Sequence, residues 1–122
     1  MRSSRLAGII WHQGESDCHT EESALAHRAK FAAMITALRR DIGAEELPLV
    51  IGEISENISE SWGLGEHPKI LNRAYRELAR ELPATAVASA EGLTLRCDGI
   101  HFDSRSCRLF GKRYFEAYRS LL

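Results

Sequence analysis

What this sequence lacks narrows its biology first. No apolar run approaches the roughly 20 residues that a membrane-spanning helix needs, so no such span is expected. The basic start, Met1 to Arg5, precedes an apolar run, Leu6 to Trp11, that is shorter than the core of a secretion signal. The cytoplasm is therefore the default expectation for the compartment. Charge of one sign is not in excess, since 16 Lys and Arg face 17 Asp and Glu for a net charge of -1. Phosphate binding needs a basic surface, so nucleic acid is not an expected partner. Three cysteines (Cys18, Cys97, Cys107) form no Cys-x-x-Cys pair, and an odd number fits free thiols better than a disulfide framework. Internal repeats, low-complexity tracts and linkers are all missing. What remains is 122 residues, 44% apolar and 27% charged, enough for one domain with a modest core.

The apolar pattern alternates between two periods. Leu6 to Trp11 reads as a strand buried on both faces, as in a parallel sheet. From about Glu21 to Ile42, the residues Leu25, Ala29, Ala32, Ile35, Leu38 and Ile42 recur at helical steps, with Arg28, Lys30, Arg39 and Arg40 elsewhere on the wheel. Pro48 to Ile54 is the second strand, and Ser55 to Glu66 a polar loop. His67-Pro68 opens a second helix with its apolar face on Ile70, Leu71, Ala74, Tyr75, Leu78 and Leu82. Thr85 to Ala90 forms a third strand, Arg96 to Asp103 a loop, and Ser104 to Leu121 a last helix burying Phe110, Tyr114 and Tyr118. Strand–helix alternation of this kind implies right-handed crossovers and an α/β fold on a parallel sheet. Such sheets place active sites at the carboxyl ends of their strands.

Two segments sit at such ends. Trp11-His12-Gln13-Gly14-Glu15-Ser16-Asp17 crowds an imidazole, an amide, a glycine and two carboxylates onto one turn. Gly14 lets backbone approach a ligand, and its N–H beside the Gln13 amide would make two convergent donors for an oxyanion. The plainer reading is a polar turn in which Ser16, Asp17 or Thr20 caps the next helix. Asp98-Gly99-Ile100-His101-Phe102-Asp103 can fold so that the Asp98 carboxylate faces the His101 imidazole and fixes its tautomer. Its plainer reading is a glycine turn with an incidental histidine. His12, Cys18, His19 and His101 lack the spacing of a zinc site, so no metal is expected. Cys18 and Cys97 border these segments and read as a small hydrophobe or surface thiol. His27 reads as solvent-facing, His67 as a helix-entry residue, and Tyr75, Tyr114 and Tyr118 as packing residues. Trp62 either covers a core edge or stacks on a sugar ring.

Taken together, the two segments resemble signature blocks of the sialate O-acetylesterase and acetylxylan esterase family, within the SGNH (GDSL-like) hydrolase superfamily. Phe110-Gly111-Lys112-Arg113-Tyr114 is similar to that family's closing helix. The resemblance implies a flavodoxin-like three-layer α/β/α sandwich, no metal or organic cofactor, and acetylated sugars or xylan as substrates. It implies that His101 is the general base, oriented by Asp98 or by Glu15, with Gln13 and Gly14 at the oxyanion position; His12, in the same block, and Trp62, on the loop leaving the second strand, are the further substrate-binding candidates.

The family's nucleophilic serine lies in a Gly-Gln-Ser-Asn block upstream of the Trp-x-Gln-Gly-Glu string. Only ten residues precede Trp11 here, and none match. None of the eleven serines has the context of a nucleophile on a sharp turn. Ser16, the nearest, reads as a cap or supporting hydroxyl. The expectation is an incomplete domain without the family's first strand, hence an uncovered sheet edge open to self-association. Two accounts fit: the C-terminal part of a longer esterase, or a remnant that binds without catalysing. The intact glycines of both blocks favour the first.

Overall fold

Each strand-like run of the sequence leads into a helix-like one, and a chain built that way can only bring its strands together in parallel. In the computed structural model, which describes residues 4–122, the order is β1 (Ile9–Trp11), α1 (Glu21–Asp41), β2 (Leu49–Gly52), α2 (Ile58–Trp62), α3 (His67–Glu81), β3 (Thr85–Ala88) and α4 (Ser104–Arg119). A short 3-10 turn, Glu15–His19, lies between β1 and α1. Part of the basic start, residues 1–3, lies outside the described residues. The sheet order is β1-β2-β3, with Ile9 opposite Leu49 and Leu49 opposite Thr85, all parallel. β2 is central and all four of its residues are buried.

Helices cover both faces, giving the three layers of a partial flavodoxin-like fold. On one face Phe31 and Ile35 of α1 and Leu71, Tyr75 and Leu78 of α3 pack against Leu49 and Ile51. On the other, Phe110 of α4 packs against Val50 and Ala88, with Tyr114 and Tyr118 alongside. Thr20 caps α1 by accepting from the Ser23 N–H, and Asp103 caps α4 by accepting from the Ser106 N–H. No helix of the described residues is long and apolar enough to cross a membrane.

Four expectations need correction. β1 is shorter than Leu6 to Trp11 and is not buried on both faces: it is the sheet edge, and Ile10 is 73% exposed. α1 turns a different face inward, burying Ala24, His27, Phe31, Ile35 and Arg39 while Leu25, Leu38 and Ile42 face outward. Arg39 goes inside because its guanidinium donates to the carbonyls of Leu47 (2.5 Å) and Pro83 (2.8 Å), tying the starts of β2 and β3 together. His27 is buried rather than solvent-facing, because both ring nitrogens find partners. Finally, the polar loop after β2 contains a helix, α2, ended by Gly63 in the left-handed region.

Gly52 is where β2 and α4 meet most closely. A Cβ there would collide with the Tyr114 hydroxyl and come within 2.8 Å of Phe110 Cζ, whereas one on Gly111 would meet open space. The two glycines should therefore respond with opposite signs. Gly52→Ala is expected to lower stability by about 2 kcal/mol through overpacking, and Gly111→Ala to raise it by up to about 1 kcal/mol through helix propensity. Urea denaturation of both variants measures the difference.

Candidate active site

The Asp98–His101 segment closes on itself. Asp98 Oδ1 accepts from the backbone N–H groups of Ile100 and His101, both at 3.0 Å, and Oδ2 lies 2.9 Å from His101 Nδ1. Gly99, at φ 72°, permits the turn. A carboxylate receiving three hydrogen bonds is strongly favoured in its charged form. The backbone N–H groups of His101 and Ile100, then the His101 ring, hold the Asp98 carboxyl well below the usual carboxylate range. Asp98 therefore accepts from Nδ1–H, which leaves Nε2 of the exposed ring with its lone pair facing solvent. That is the tautomer of a general base.

The first block forms a second clamped turn. Gly14 has φ 148°, and a Cβ there would collide with Leu71 and lie 2.9 Å from the Tyr75 hydroxyl, so only glycine fits. Its carbonyl accepts from Asp17 N–H at 3.0 Å, while the Gln13 carbonyl accepts from the Tyr75 hydroxyl at 2.5 Å. His67 Nδ1 lies 2.7 Å from the Cys18 carbonyl, so a residue read as a helix entry also fastens this turn. Cys18 is fully buried, and burial, then Glu15 and Asp17, pushes its thiol up to about 12. It is a packing group at neutral pH, not a nucleophile. Ser16 is exposed and takes no capping role, which falls to Thr20.

Aromatic contacts bring the two segments together. The His12 ring lies 5.7 Å from Phe102, the residue after His101, and 5.4 Å from Phe110. Gly99 sits against Ser61 of α2, with the Trp62 indole nitrogen next nearest, so the half-exposed Trp62 borders the Asp98–His101 loop. His12, Gln13, Gly14, Trp62, Asp98 and His101 thus share the carboxyl end of the sheet. Glu15 opens the 3-10 turn, and among the described residues no hydrogen bond or ion pair joins it to His101. Of the two carboxylates considered for His101, Asp98 is the one in contact.

Sequence reasoning missed a polar cluster at the same end. A cavity of about 640 Å³ opens beyond β2 and β3, lined by Glu53, Asn57, Asn72, Arg76, Ser89 and Glu91 among others. Glu53 is buried, 2.6 Å from Arg76 Nε, and accepts from Ala90 N–H at 3.1 Å. Asn72 pins the backbone of Ile54 through both its oxygen and its nitrogen. The sequence signals were two polar residues at buried positions, Glu53 within the second apolar run and Asn72 on α3.

An α/β fold with a histidine–aspartate pair and a clamped glycine turn at the carboxyl end of its sheet defines a hydrolase-like site. Comparison with known proteins names the family. Residues 1–120 match the family described as carbohydrate esterase, sialic acid-specific acetylesterase, and the chain belongs to that family. A probable carbohydrate esterase of Arabidopsis thaliana is 24% identical over 115 residues, covering 94% of this chain and 41% of that protein. The crystal structure of an Arabidopsis thaliana protein superposes with a TM-score of 0.81 over 95% of this chain and 45% of its own, at 24% identity. A carbohydrate acetylesterase of Xanthomonas citri gives a TM-score of 0.81 at 27% identity, over 94% of this chain and 26% of that one. The chain spans less than half the length of each of these relatives.

The Asp98 contact predicts a specific defect. In Asp98→Asn the amide nitrogen would face His101 Nδ1, so the ring proton is expected to move to Nε2. Nitrogen-15 NMR of the ring reads that change directly. In the wild type the sign follows from the depressed carboxyl: its contribution to the loop is complete above the unfolded Asp range and is lost only as pH falls through the lower folded value. The amides of Ile100 and His101 should accordingly stay protected until the pH is well below the ordinary carboxylate range.

Proposed function

We propose that this chain is the acid–base part of a carbohydrate-acetyl esterase domain, acting on acetylated sugars or xylan, whose attacking serine is supplied by a part of the family fold outside this chain. The carrying observation is the Asp98–His101 pair at 2.9 Å with Nε2 free. In the complete enzyme His101 Nε2 takes the serine proton as the hydroxyl attacks the acetyl carbonyl. The tetrahedral oxyanion is met by the Gly14 N–H and the Gln13 amide. His101 then returns the proton to the departing sugar hydroxyl, and water releases acetate by the same steps in reverse. Trp62 offers a face for a sugar ring, and the cavity beside Glu53, Arg76 and Asn72 offers hydrogen-bonding groups to a glycan. The sizes and names of the relatives support this reading.

On this account, p-nitrophenyl acetate is hydrolysed only at background rate by the chain and by its Ser16→Ala, Ser61→Ala and His101→Ala variants. Turnover that depends on Ser16 or Ser61 would show that the nucleophile lies within the chain. Acetylated xylo-oligosaccharides are expected to quench tryptophan fluorescence, and Trp62→Ala to abolish the quench while Trp11 remains.

A second reading, a non-catalytic assembly module, is favoured by the open edge of β1, where Ile10 is 73% exposed. It requires a second copy to pair along that edge. Light scattering should then show a dimer that Ile10→Lys dissolves, and a wild-type monomer would end this reading.

A further inference from the structure

Three groups that take no part in the chemistry above form a chain ending on the candidate oxyanion turn. Asp17 Oδ2 lies 2.6 Å from His27 Nδ1, His27 Nε2 lies 2.9 Å from the Tyr75 hydroxyl, and that hydroxyl lies 2.5 Å from the Gln13 carbonyl. His27 and Tyr75 are buried, and Phe31 stacks on the His27 ring at 5.8 Å. We propose that Asp17, His27 and Tyr75 are positioning residues, a relay that locks the Gln13–Gly14 turn while it holds one more proton than a carboxylate and a neutral imidazole carry, and frees the turn when that proton leaves.

The argument is a count of protons. The Gln13 carbonyl can only accept, so the single phenol proton of Tyr75 points at it. His27 Nε2 must then donate to the phenol oxygen. A contact of 2.6 Å between Nδ1 and Asp17 needs a proton between them as well. Three links require three protons, whereas a neutral imidazole and a phenol together bring two. The third is shared between His27 and Asp17. Tyr75 does not give up its own, because burial pushes its phenol above its ordinary value.

Loss of the extra proton changes the geometry. The remaining ring proton stays on Nδ1 facing the carboxylate, and Nε2 becomes an acceptor. Tyr75 then has one proton for two acceptors, Nε2 and the Gln13 carbonyl. Whenever it turns to the ring, Gln13 keeps only the Trp11 indole N–H at 3.3 Å. The charged and titratable groups facing this chain and the turn it holds are Asp17, Glu15 and Cys18 from the 3-10 turn, and Tyr75 and His67 from α3, the last bonded to the Cys18 carbonyl at 2.7 Å. The inference rests on reading Gln13–Gly14 as the oxyanion turn, and its test needs no substrate.

The experiment is nitrogen-15 NMR of the labelled chain from pH 5 to 9. At pH 5 both His27 ring nitrogens are expected to show the imidazolium pattern. As that pattern is lost, the Gly14 and Asp17 amides should shift with the same midpoint. Protection of the Asp17 amide, bonded to the Gly14 carbonyl, should fall at least tenfold. His67→Gln removes the other ring bonded to this turn and should leave this coupling intact, and Tyr75→Phe should uncouple Gly14 from His27. A His27 ring that is neutral at pH 5, or that titrates without moving Gly14, overturns the proposal. A ring that keeps both protons to pH 9 overturns the release step. The wild-type titration decides even where Tyr75→Phe is poorly folded. Failure here leaves the esterase reading standing, and a missing Trp62 quench or a serine-dependent turnover of acetyl esters leaves the relay untouched.

Discussion

The structure depends on fastening a three-residue edge strand. β1 pairs with β2 on one side only, a short ladder for an element that carries the first half of the candidate site. Three tyrosine hydroxyls make up the difference. Tyr118 donates to the Ala7 carbonyl at 3.0 Å, Tyr114 to Trp11 at 2.7 Å and Tyr75 to Gln13 at 2.5 Å. Two come from α4 and one from α3, so β1 is gripped from both faces of the sheet. A tyrosine suits this work because its ring packs in the core while its hydroxyl reaches a backbone acceptor. Each was visible in the sequence only as a packing residue.

What was legible in the sequence was what local spacing encodes. The helical period placed α3 and α4 within a few residues, and the apolar runs placed all three strands. Asp98 and His101 could be paired on paper because three residues separate them and Gly99 lies between. The inner face of α1 could not be read in the same way. A helical wheel assigns arginine and histidine to solvent, and Arg39 and His27 are inside only because the Leu47 and Pro83 carbonyls ahead of β2 and β3, Asp17 and Tyr75 receive them. Those partners are distant in sequence, and no periodicity announces them. α2 escaped notice because five residues, Ile58 to Trp62, carry no apolar face long enough to count.

The candidate site gathers unlike groups at one end of the sheet. A histidine held by a carboxylate, a glycine that cannot be replaced, and an indole at the rim lie together where open α/β sheets bind their ligands. The residues around them are tied both to backbone and to one another, as Tyr75 is to the Gln13 carbonyl and to His27, which is how a site keeps its shape before a substrate arrives.

The Asp98 hydrogen bonds link residues two and three apart, whereas those of the tyrosines close spans of 62, 103 and 111 residues. Loop-closure entropy grows with the logarithm of length, so joining ends about a hundred residues apart costs roughly 3 kcal/mol more than joining ends three apart. The two halves of the candidate site therefore belong to different stages of folding. The Asp98–His101 turn can form while most of the chain is still searching. The Gln13–Gly14 turn exists only after α3 and α4 have docked, and is the first to go when either lifts away.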